Sequence, residues 1–438
     1  MTELTALRRA TDAEILLPGD AGYEEVRSVY AGAGDPAVIV RPSTPEQVAE
    51  ALGLAREHGL PVSVRSGGHG ANSFPNPGGL VIDMAAFDTV EVRGDGTVRV
   101  GTAATWGEVA DALAPHGLVI TSGDTREVGV GGIALGGGVG WLVRSVGLTV
   151  DVLEAVELVT VDGRCITASA ASEPELFWAL RGGGGNFGVA THFTFRPASL
   201  PAVVGGRIEV GFDDLAATLR AWRDAMRLAP DELSVTFLAL PALPSGAPRT
   251  AQLLVCYAGD DEEAGRAAIA PLLELPGVTG SQIARRPYGE LVASAAAPPP
   301  VPVVGGEGFA DFDDEVVDAF ASAVADYAGP AVASARYLGG AFSRIDPEAT
   351  AFAIREAEVL LFRVAFLPPG TPPELAEAAE ESWRPVRART TGSYGNFVEA
   401  SDPAHLARIY PPATLERLRA VKRAFDPENL LARNHNIV

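Results

Sequence analysis

Lysine is almost absent from this chain: of its 34 basic side chains only Lys422 is a lysine. A Walker phosphate loop needs a lysine behind its glycines, and pyridoxal phosphate needs one for its Schiff base, so neither chemistry has a seat here. Lys422 falls in Leu415–Phe425, which reads as an amphipathic helix ending at Asp426-Pro427, and its expected place is the solvated face. Cysteine is nearly as scarce. Cys165 and Cys256 can form no disulfide framework and have no metal-ligand spacing; both fall in strand-like runs, where small buried hydrophobes are expected. None of the six histidines (His58, His69, His116, His192, His405, His435) pairs at metal-binding spacing, so zinc is not expected. The Gly-x-Ser-x-Gly elbow of many serine hydrolases does not occur. No run of eighteen apolar residues is present, which argues against a transmembrane helix. Met1–Asp20 lacks an apolar stretch followed by small residues, so no signal peptide is expected and the cytoplasm is the default location. Positive charge is also in deficit. A net charge of −22 with no local basic cluster would repel phosphate backbones, and nucleic-acid binding is not expected.

What is present is the material for a large globular protein. The 438 residues, 47% apolar and 21% charged, suit two to three domains. Ala37–Arg41 reads as a strand, and Thr44, Pro45 and Gln47 as a capped helix start with proline at the first helical position. Val48, Leu52 and Ala55 line one helix face and Gly59 closes it. Pro61–Val64 is a second strand that runs into the loop Arg65-Ser66-Gly67-Gly68-His69-Gly70. Strands follow at Leu80–Met84, Thr89–Val92 and Thr97–Gly101, then a helix from Thr105 to His116 with Glu108 in the capping position. Beyond Ser199 the texture changes. Strands (Leu233–Leu240, Ala251–Tyr257, Val359–Phe366) alternate with helices (Asp213–Leu228, Asp261–Leu273, Glu315–Tyr327), and proline-rich Ala295–Val304 reads as a surface loop. The division expected is a first part at 1–200, a second domain at 201–389, and a return to the first at 390–438.

Three dense glycine clusters in the first part ask for one explanation. They are the loop at 65–70, the stretch Gly123–Gly140 with eight glycines in eighteen residues, and Gly182-Gly183-Gly184-Gly185-Asn186-Phe187-Gly188 ahead of the strand Val189–Phe195. Glycine lets main chain approach a ligand closely and aim N–H groups at a pyrophosphate, which favours a nucleotide cofactor over mere tight turns. Gly129-x-Gly131-x-x-Ala134, with Asp151 and Glu154 about twenty residues on, matches the loose dinucleotide fingerprint and keeps a nicotinamide-dependent dehydrogenase in view. Its context is poor, because the nearest strand, Leu118–Thr121, ends well before it. His69, set between two pairs of residues rich in glycine, should face a ligand or solvent.

The same segments resemble the berberine-bridge-enzyme-like FAD oxidases of the vanillyl-alcohol-oxidase fold. The resemblance runs through Arg65–Gly70, Val128-Gly129-Val130-Gly131-Gly132, Gly136-Gly137-Gly138-Val139-Gly140-Trp141, Arg144, Gly147-Leu148, Asp151 and Arg181–Val189. It closes at Tyr394-Gly395-Asn396-Phe397, Arg417-Leu418, Lys422, Phe425–Leu430 and Asn434-His435-Asn436-Ile437, in order along nearly the whole chain.

The resemblance implies an α+β fold: a PCMH-type FAD-binding domain of two α/β subdomains, plus a substrate domain whose antiparallel sheet is covered by helices. It implies FAD joined at its 8α-methyl group to His69. Around the cofactor it places Arg65, Ser66, Gly67, Gly68, Gly70, Gly123, Asp124, Thr125, Val128, Gly129, Gly132, Gly136, Gly137, Gly188, Val189, Asn434 and Asn436. Many relatives add a second bond from a cysteine just before Val-Gly-Val-Gly-Gly; Thr125 stands there in this chain and cannot supply a thiolate, so a single link is expected. Tyr394 and Asn396 are the expected catalytic pair, with Glu399 nearby and Tyr337 as a further substrate-side candidate. The expected activity is hydride transfer from an alcohol, sugar or secondary-metabolite substrate to flavin, with dioxygen as acceptor. A nicotinamide-dependent dehydrogenase and a non-catalytic ligand-binding relative are the alternatives.

Overall fold

The computed structural model describes residues 8, 11–29, 32–70, 76–242, 248–294, 301–398 and 403–438. The candidate Glu399 and most of the proline-rich loop, 295–300, lie outside them.

The chain begins with a small mixed sheet built from β1 (Glu14–Leu16), β2 (Val38–Arg41), β3 (Val62–Arg65) and β4 (Leu80–Asp83). Helix α1 (Pro45–Glu57) joins β2 to β3. Thr44 caps it by accepting from the Gln47 N–H, while the Gln47 side chain reaches one residue further back to the Ser43 N–H, a shifted form of the expected box. Gly59, at φ 62°, ends the helix in the left-handed conformation that glycine adopts without penalty. Strand β4 lies between β2 and β3, parallel to both, so the helix crosses over a neighbour that arrives later in the chain. Val38, Val40, Val48, Leu52, Ala55, Leu80 and Ile82 share one buried cluster here. Each of these valines, leucines and isoleucines contributes about 1.5–3 kcal/mol by leaving water, and Ala55 less.

A five-stranded antiparallel sheet follows. It consists of β5 (Val90–Val92), β6 (Val98–Gly101), β7 (Leu153–Val159), β8 (Cys165–Ser169) and β9 (Val189–Phe195), in the order β8-β7-β9-β6-β5. Helix α2 (Trp106–Leu113) carries the full Thr105–Glu108 capping box; α3 (Val130–Gly136) and α4 (Pro174–Leu180) lie after it. Their core contains Trp106, Phe193, Phe195 and Leu176, together with Leu406, Ile409, Leu415, Leu418, Val421 and Ile437 from the far end of the chain. Those late residues come from α9 (Pro403–Ile409), α10 (Pro412–Phe425) and the C-terminal tail.

Between them stands a seven-stranded, wholly antiparallel sheet. Its members are β10 (Val203–Val210), β11 (Leu233–Leu240), β12 (Thr250–Tyr257), β13 (Val278–Arg286), β14 (Val303–Ala310), β15 (Ala331–Tyr337) and β16 (Val359–Phe366). They are ordered β13-β10-β12-β11-β15-β16-β14. Helices α5 (Leu215–Leu228), α6 (Glu262–Leu273), α7 (Asp314–Ala325) and α8 (Pro373–Arg387) pack on one face. Because side chains alternate along a strand, Phe237, Leu253, Ala335 and Leu361 enter that helical core while Thr236, Leu254, Arg336 and Leu360 face the other way. The face without helices meets the glycine stretch: Phe309 and Leu360 share a cluster with Val139, Val143, Leu148, Phe352 and Tyr394.

Three sequence expectations need correction. Lys422 is buried, not solvated: its ammonium donates to Asp426 Oδ2 at 2.7 Å and to the carbonyls of Asn186 (3.0 Å) and Leu431 (3.1 Å). Three acceptors satisfy a buried ammonium completely, which no reading of helical periodicity reveals. Cys165 is exposed on the edge strand β8, whereas Cys256 is buried as expected. Tyr337, the further substrate-side candidate, faces the helical core against Trp222, and its hydroxyl donates to Glu358 at 3.3 Å; alternation takes it away from the sheet face that meets the glycine stretch.

Candidate functional site

Strand β3 delivers Arg65 to the head of the first glycine loop. Its guanidinium donates to the buried Asp83 carboxylate at 3.1 Å, and Arg41 donates to the same carboxylate at 3.0 Å. Arg65 therefore anchors the loop. Gly67 then packs main chain to main chain on Gly129, and a Cβ on either residue would overlap the other's backbone. This is the close approach for which glycine is required at both places. Val128 is held by the Trp106 N–H at 3.0 Å on its carbonyl, and Thr105 bridges Gly129. The first and second glycine clusters are thus one structure. His69 is half-buried in this loop, and burial holds its imidazole below the usual range against the opposing pull of Glu127.

Of Gly123, Asp124 and Thr125, Asp124 meets the seven-stranded sheet, and a Cβ on Gly123 would press on Ile133. Asp124 is paired with Arg336 of β15, whose guanidinium also lies over Trp141, and Thr125 bridges Ala293. Gly132 looks onto open space; Gly136 and Gly137 do not. A Cβ on Gly136 would land on the Asn396 amide, and one on Gly137 would press on Phe352 and Tyr394. Gly188 packs on Leu158 and Val159, and Val189 is buried at the start of β9. The third cluster meets the C-terminal tail: Asn434 donates to the Gly185 carbonyl at 3.1 Å, and Asn186 accepts from the Ile437 N–H at 3.3 Å.

These parts meet at Tyr394. Its hydroxyl accepts from the Gly138 N–H at 2.9 Å and from Asn396 Nδ2 at 3.0 Å, and the Val139 N–H also supports it. Its ring is buried against Phe309, Phe352 and Phe397. Burial raises the phenol above its ordinary value, while the hydrogen bonds pull the other way. Beside it, Gly136, Gly182, Phe352, Asn396, Tyr410 and His435 line a narrow cleft with about 30 Å³ of room for solvent.

Two groups escaped the sequence reading. Glu307 of β14 accepts from the Tyr394 N–H at 2.8 Å, and burial pushes its carboxyl up to about 7. A lone acid in the glycine-rich strand Val303–Ala310 was the available signal. The second is the segment 346–356, where Arg355 and Asp151 form a bidentate buried pair at 2.8 and 2.9 Å, and Phe352 is set against Gly137. Asp151 is thereby committed, and the ribose-binding role of a nicotinamide fingerprint falls away.

The geometry suits a flavin. The amide oxygens of Asn434 and Asn436, which are acceptors, and the Arg65 Nε, a donor, are buried without a hydrogen-bond partner among the described residues, and Gly132 and Gly185 leave open space where a side chain would stand. Buried groups of this kind need partners of the opposite sense, and a flavin ring offers both an N–H donor at N3 and carbonyl acceptors.

Comparison with known proteins agrees. The family described as FAD binding domain matches residues 36–169. (R)-6-hydroxynicotine oxidase of Paenarthrobacter nicotinovorans is 31% identical over 468 aligned positions, covering 100% of this chain and 99% of the relative. The chain belongs to the berberine-bridge-enzyme-like FAD-linked oxidases. Xylooligosaccharide oxidase of Thermothelomyces thermophilus is 27% identical, covering 90% of this chain and 86% of the relative. The crystal structure of 6-hydroxy-D-nicotine oxidase from Arthrobacter nicotinovorans superposes with a TM-score of 0.86 at 28% identity, over 98% of each chain. A chitooligosaccharide oxidase structure at 23% identity shares the fold, with a TM-score of 0.87 over 100% of this chain and 99% of that one. This FAD-linked oxidase is therefore a flavin-dependent oxidoreductase of the PCMH-type fold, and the nicotinamide and non-catalytic alternatives are set aside. Among its described residues no helix is long and apolar enough to cross a membrane, and no group of acids, histidines and cysteines could hold a metal.

Proposed function

We propose that this oxidase carries FAD on a single covalent bond from His69 to the flavin 8α-methyl group. We further propose that it oxidises a CH–OH carbon of a small organic substrate, with Tyr394 and Asn396 at the substrate hydroxyl and dioxygen as the electron acceptor. The observation that carries the reading is Tyr394, whose hydroxyl oxygen is fixed by Gly138 and Asn396 beside the cleft. FAD, when bound, supplies a two-electron acceptor at N5. His69 would hold it: burial keeps the imidazole neutral, and only a neutral imidazole has a nitrogen lone pair with which to bond carbon. Thr125 occupies the place where a second, cysteinyl link would form, which supports one bond rather than two. The loops at 65–70, 123–137 and 182–189 and the tail at Asn434 and Asn436 would enclose the cofactor, in a unit made of 1–200 and 390–438, with 201–389 contributing the substrate side. Hydride loss from a CH–OH carbon releases the hydroxyl proton, and Tyr394 would be the base that takes it: the hydrogen bonds its oxygen accepts from Gly138 and Asn396 favour the phenolate, against burial, which raises the phenol. Asn396 keeps that oxygen in place.

A second reading, oxidation at a carbon bearing nitrogen, is favoured by the full-length likeness to an enzyme named for hydroxynicotine. The two are separated by following oxygen consumption with a panel of alcohols and sugars against a panel of amines. Acid precipitation tests the link. Flavin colour should stay in the wild-type pellet and be released from His69→Ala, and colour that remains in the wild-type supernatant would refute the covalent bond.

A further inference from the structure

Glu307 is the only ionisable residue of β14, which otherwise reads Val-Val-Gly-Gly, then Gly-Phe-Ala. Register places it opposite Phe362, which lies opposite Ser334 and so in line with Leu238, on the sheet face that carries no helices. From there its Oε2 accepts from the Tyr394 N–H at 2.8 Å, and the Ser393 hydroxyl is its second partner. Two residues along the strand, the Phe309 N–H donates to the Gly392 carbonyl at 2.9 Å, and the Thr391 N–H donates to the Phe309 carbonyl at 2.8 Å. The segment that presents Tyr394 is thus fastened to the sheet edge at two points, one of main chain and one of charge. The titratable groups facing Glu307 are Arg408 and His405 of α9, with Tyr394 on the loop and apolar Phe362 on β16. Arg408 directs Nε to Ser393 Oγ at 3.2 Å and Nη2 to Thr390 Oγ1 at 2.7 Å, bracing the same segment from behind.

We propose that Glu307 is the positioning residue of Tyr394: its carboxylate clamps the Tyr394 main chain to the substrate sheet, and its protonation state sets how firmly the tyrosine hydroxyl is held on the Gly138 main chain. The inference rests on the reading that Tyr394 meets the substrate hydroxyl. Hydrogen bonds to an ionised carboxylate are about twice as strong as those to a neutral acceptor, so the ionised form is the tighter clamp. With the carboxyl pushed up to about 7, flavin reduction rises with pH through that value. Stability runs the opposite way. The folded protein binds this proton more tightly than the unfolded chain, whose ordinary value is 4.5. The stabilisation is therefore full below that value and is lost as pH rises through about 7.

The test uses the flavin-loaded wild type and two variants, Glu307→Gln and Ser393→Ala. Two quantities are followed against pH: anaerobic flavin reduction by substrate and the melting temperature. Glu307→Gln should reduce its flavin at the wild type's acid-side rate at every pH, about tenfold below wild type at pH 8, with KM little changed because Glu307 does not line the cleft beside Tyr394. Ser393→Ala removes one bond that favours the carboxylate, so its acid limb should move to higher pH. The melting temperature of wild type minus that of Glu307→Gln should fall between pH 5 and 8. A Glu307→Gln enzyme that keeps the wild-type acid limb, or a flat melting difference, overturns the proposal; if that variant does not fold, an unmoved limb in Ser393→Ala does so. A sloping melting difference combined with wild-type reduction in Tyr394→Phe overturns the reading of Tyr394 and leaves the linkage of Glu307 standing.

Discussion

Tyr394 shows how much of a site's chemistry is settled by the partners of one oxygen atom. A phenol buried among Phe309, Phe352 and Phe397 resists ionisation, and donors from Gly138 and Asn396 offset only part of that resistance. As base for the substrate hydroxyl proton it depends on those donors to hold the phenolate charge. General base catalysis is typically worth about 10²–10⁴ in rate. Tyr394→Phe keeps the ring packing and should slow anaerobic flavin reduction by that factor while the flavin stays bound. Stopped-flow absorbance reads both quantities, and release of flavin would instead mark the tyrosine as structural.

At the scale of elements, the stretch Gly136–Gly138 is where helix α3 ends against three other parts of the molecule. Gly137 and Gly138, at φ 142° and 87°, occupy backbone that other residues adopt only under strain, and Gly138 packs on Thr149 as well. Gly136 differs, because it is helical and the atoms nearest to a Cβ there all belong to the movable Asn396 amide. Glycine in a helix costs roughly 0.5–1 kcal/mol relative to alanine, so Gly136→Ala should leave the melting temperature unchanged or slightly raised. The same methyl displaces Asn396 from the Tyr394 hydroxyl, and flavin reduction should fall severalfold. A variant with wild-type reduction kinetics would show that Asn396 does not matter there.

For the whole molecule the decisive arrangement is the return of the chain's end to its beginning. Leu431 and Ile437 are buried, Asn434 and Ile437 bond to the third glycine cluster, and the Leu431 carbonyl completes the partners of Lys422. Deleting the last ten residues takes away all of these and leaves the Lys422 ammonium short of an acceptor. The truncated protein should fail to take up flavin, the step that must precede the covalent bond, and should melt at a lower temperature, although His69 is untouched. Normal absorbance per protein in that variant would contradict a discontinuous flavin-binding unit.

Much of this was legible from the sequence. Capped helices such as Thr105–Leu113 and strands such as Leu233–Leu240 follow from local periodicity, because helix caps and strand alternation are made by residues close in the chain. The glycine clusters announced close approach of main chain for the same local reason, and the family could be named from them. What local pattern does not contain is which distant atoms complete a buried group. Lys422 read as solvated because the carbonyls of Asn186 and Leu431 that receive it belong to other segments. Glu307 went unnoticed because its meaning lies in an N–H 87 residues away. That Tyr337 faces the helices could not be read either, because a strand's pattern names two faces without saying which one carries the helices. The sequence by itself determined the elements and the cofactor-binding chemistry; the burial of charge, the partners of Tyr394 and the choice of sheet face were decided only by tertiary packing, where desolvation makes every unpaired polar group costly.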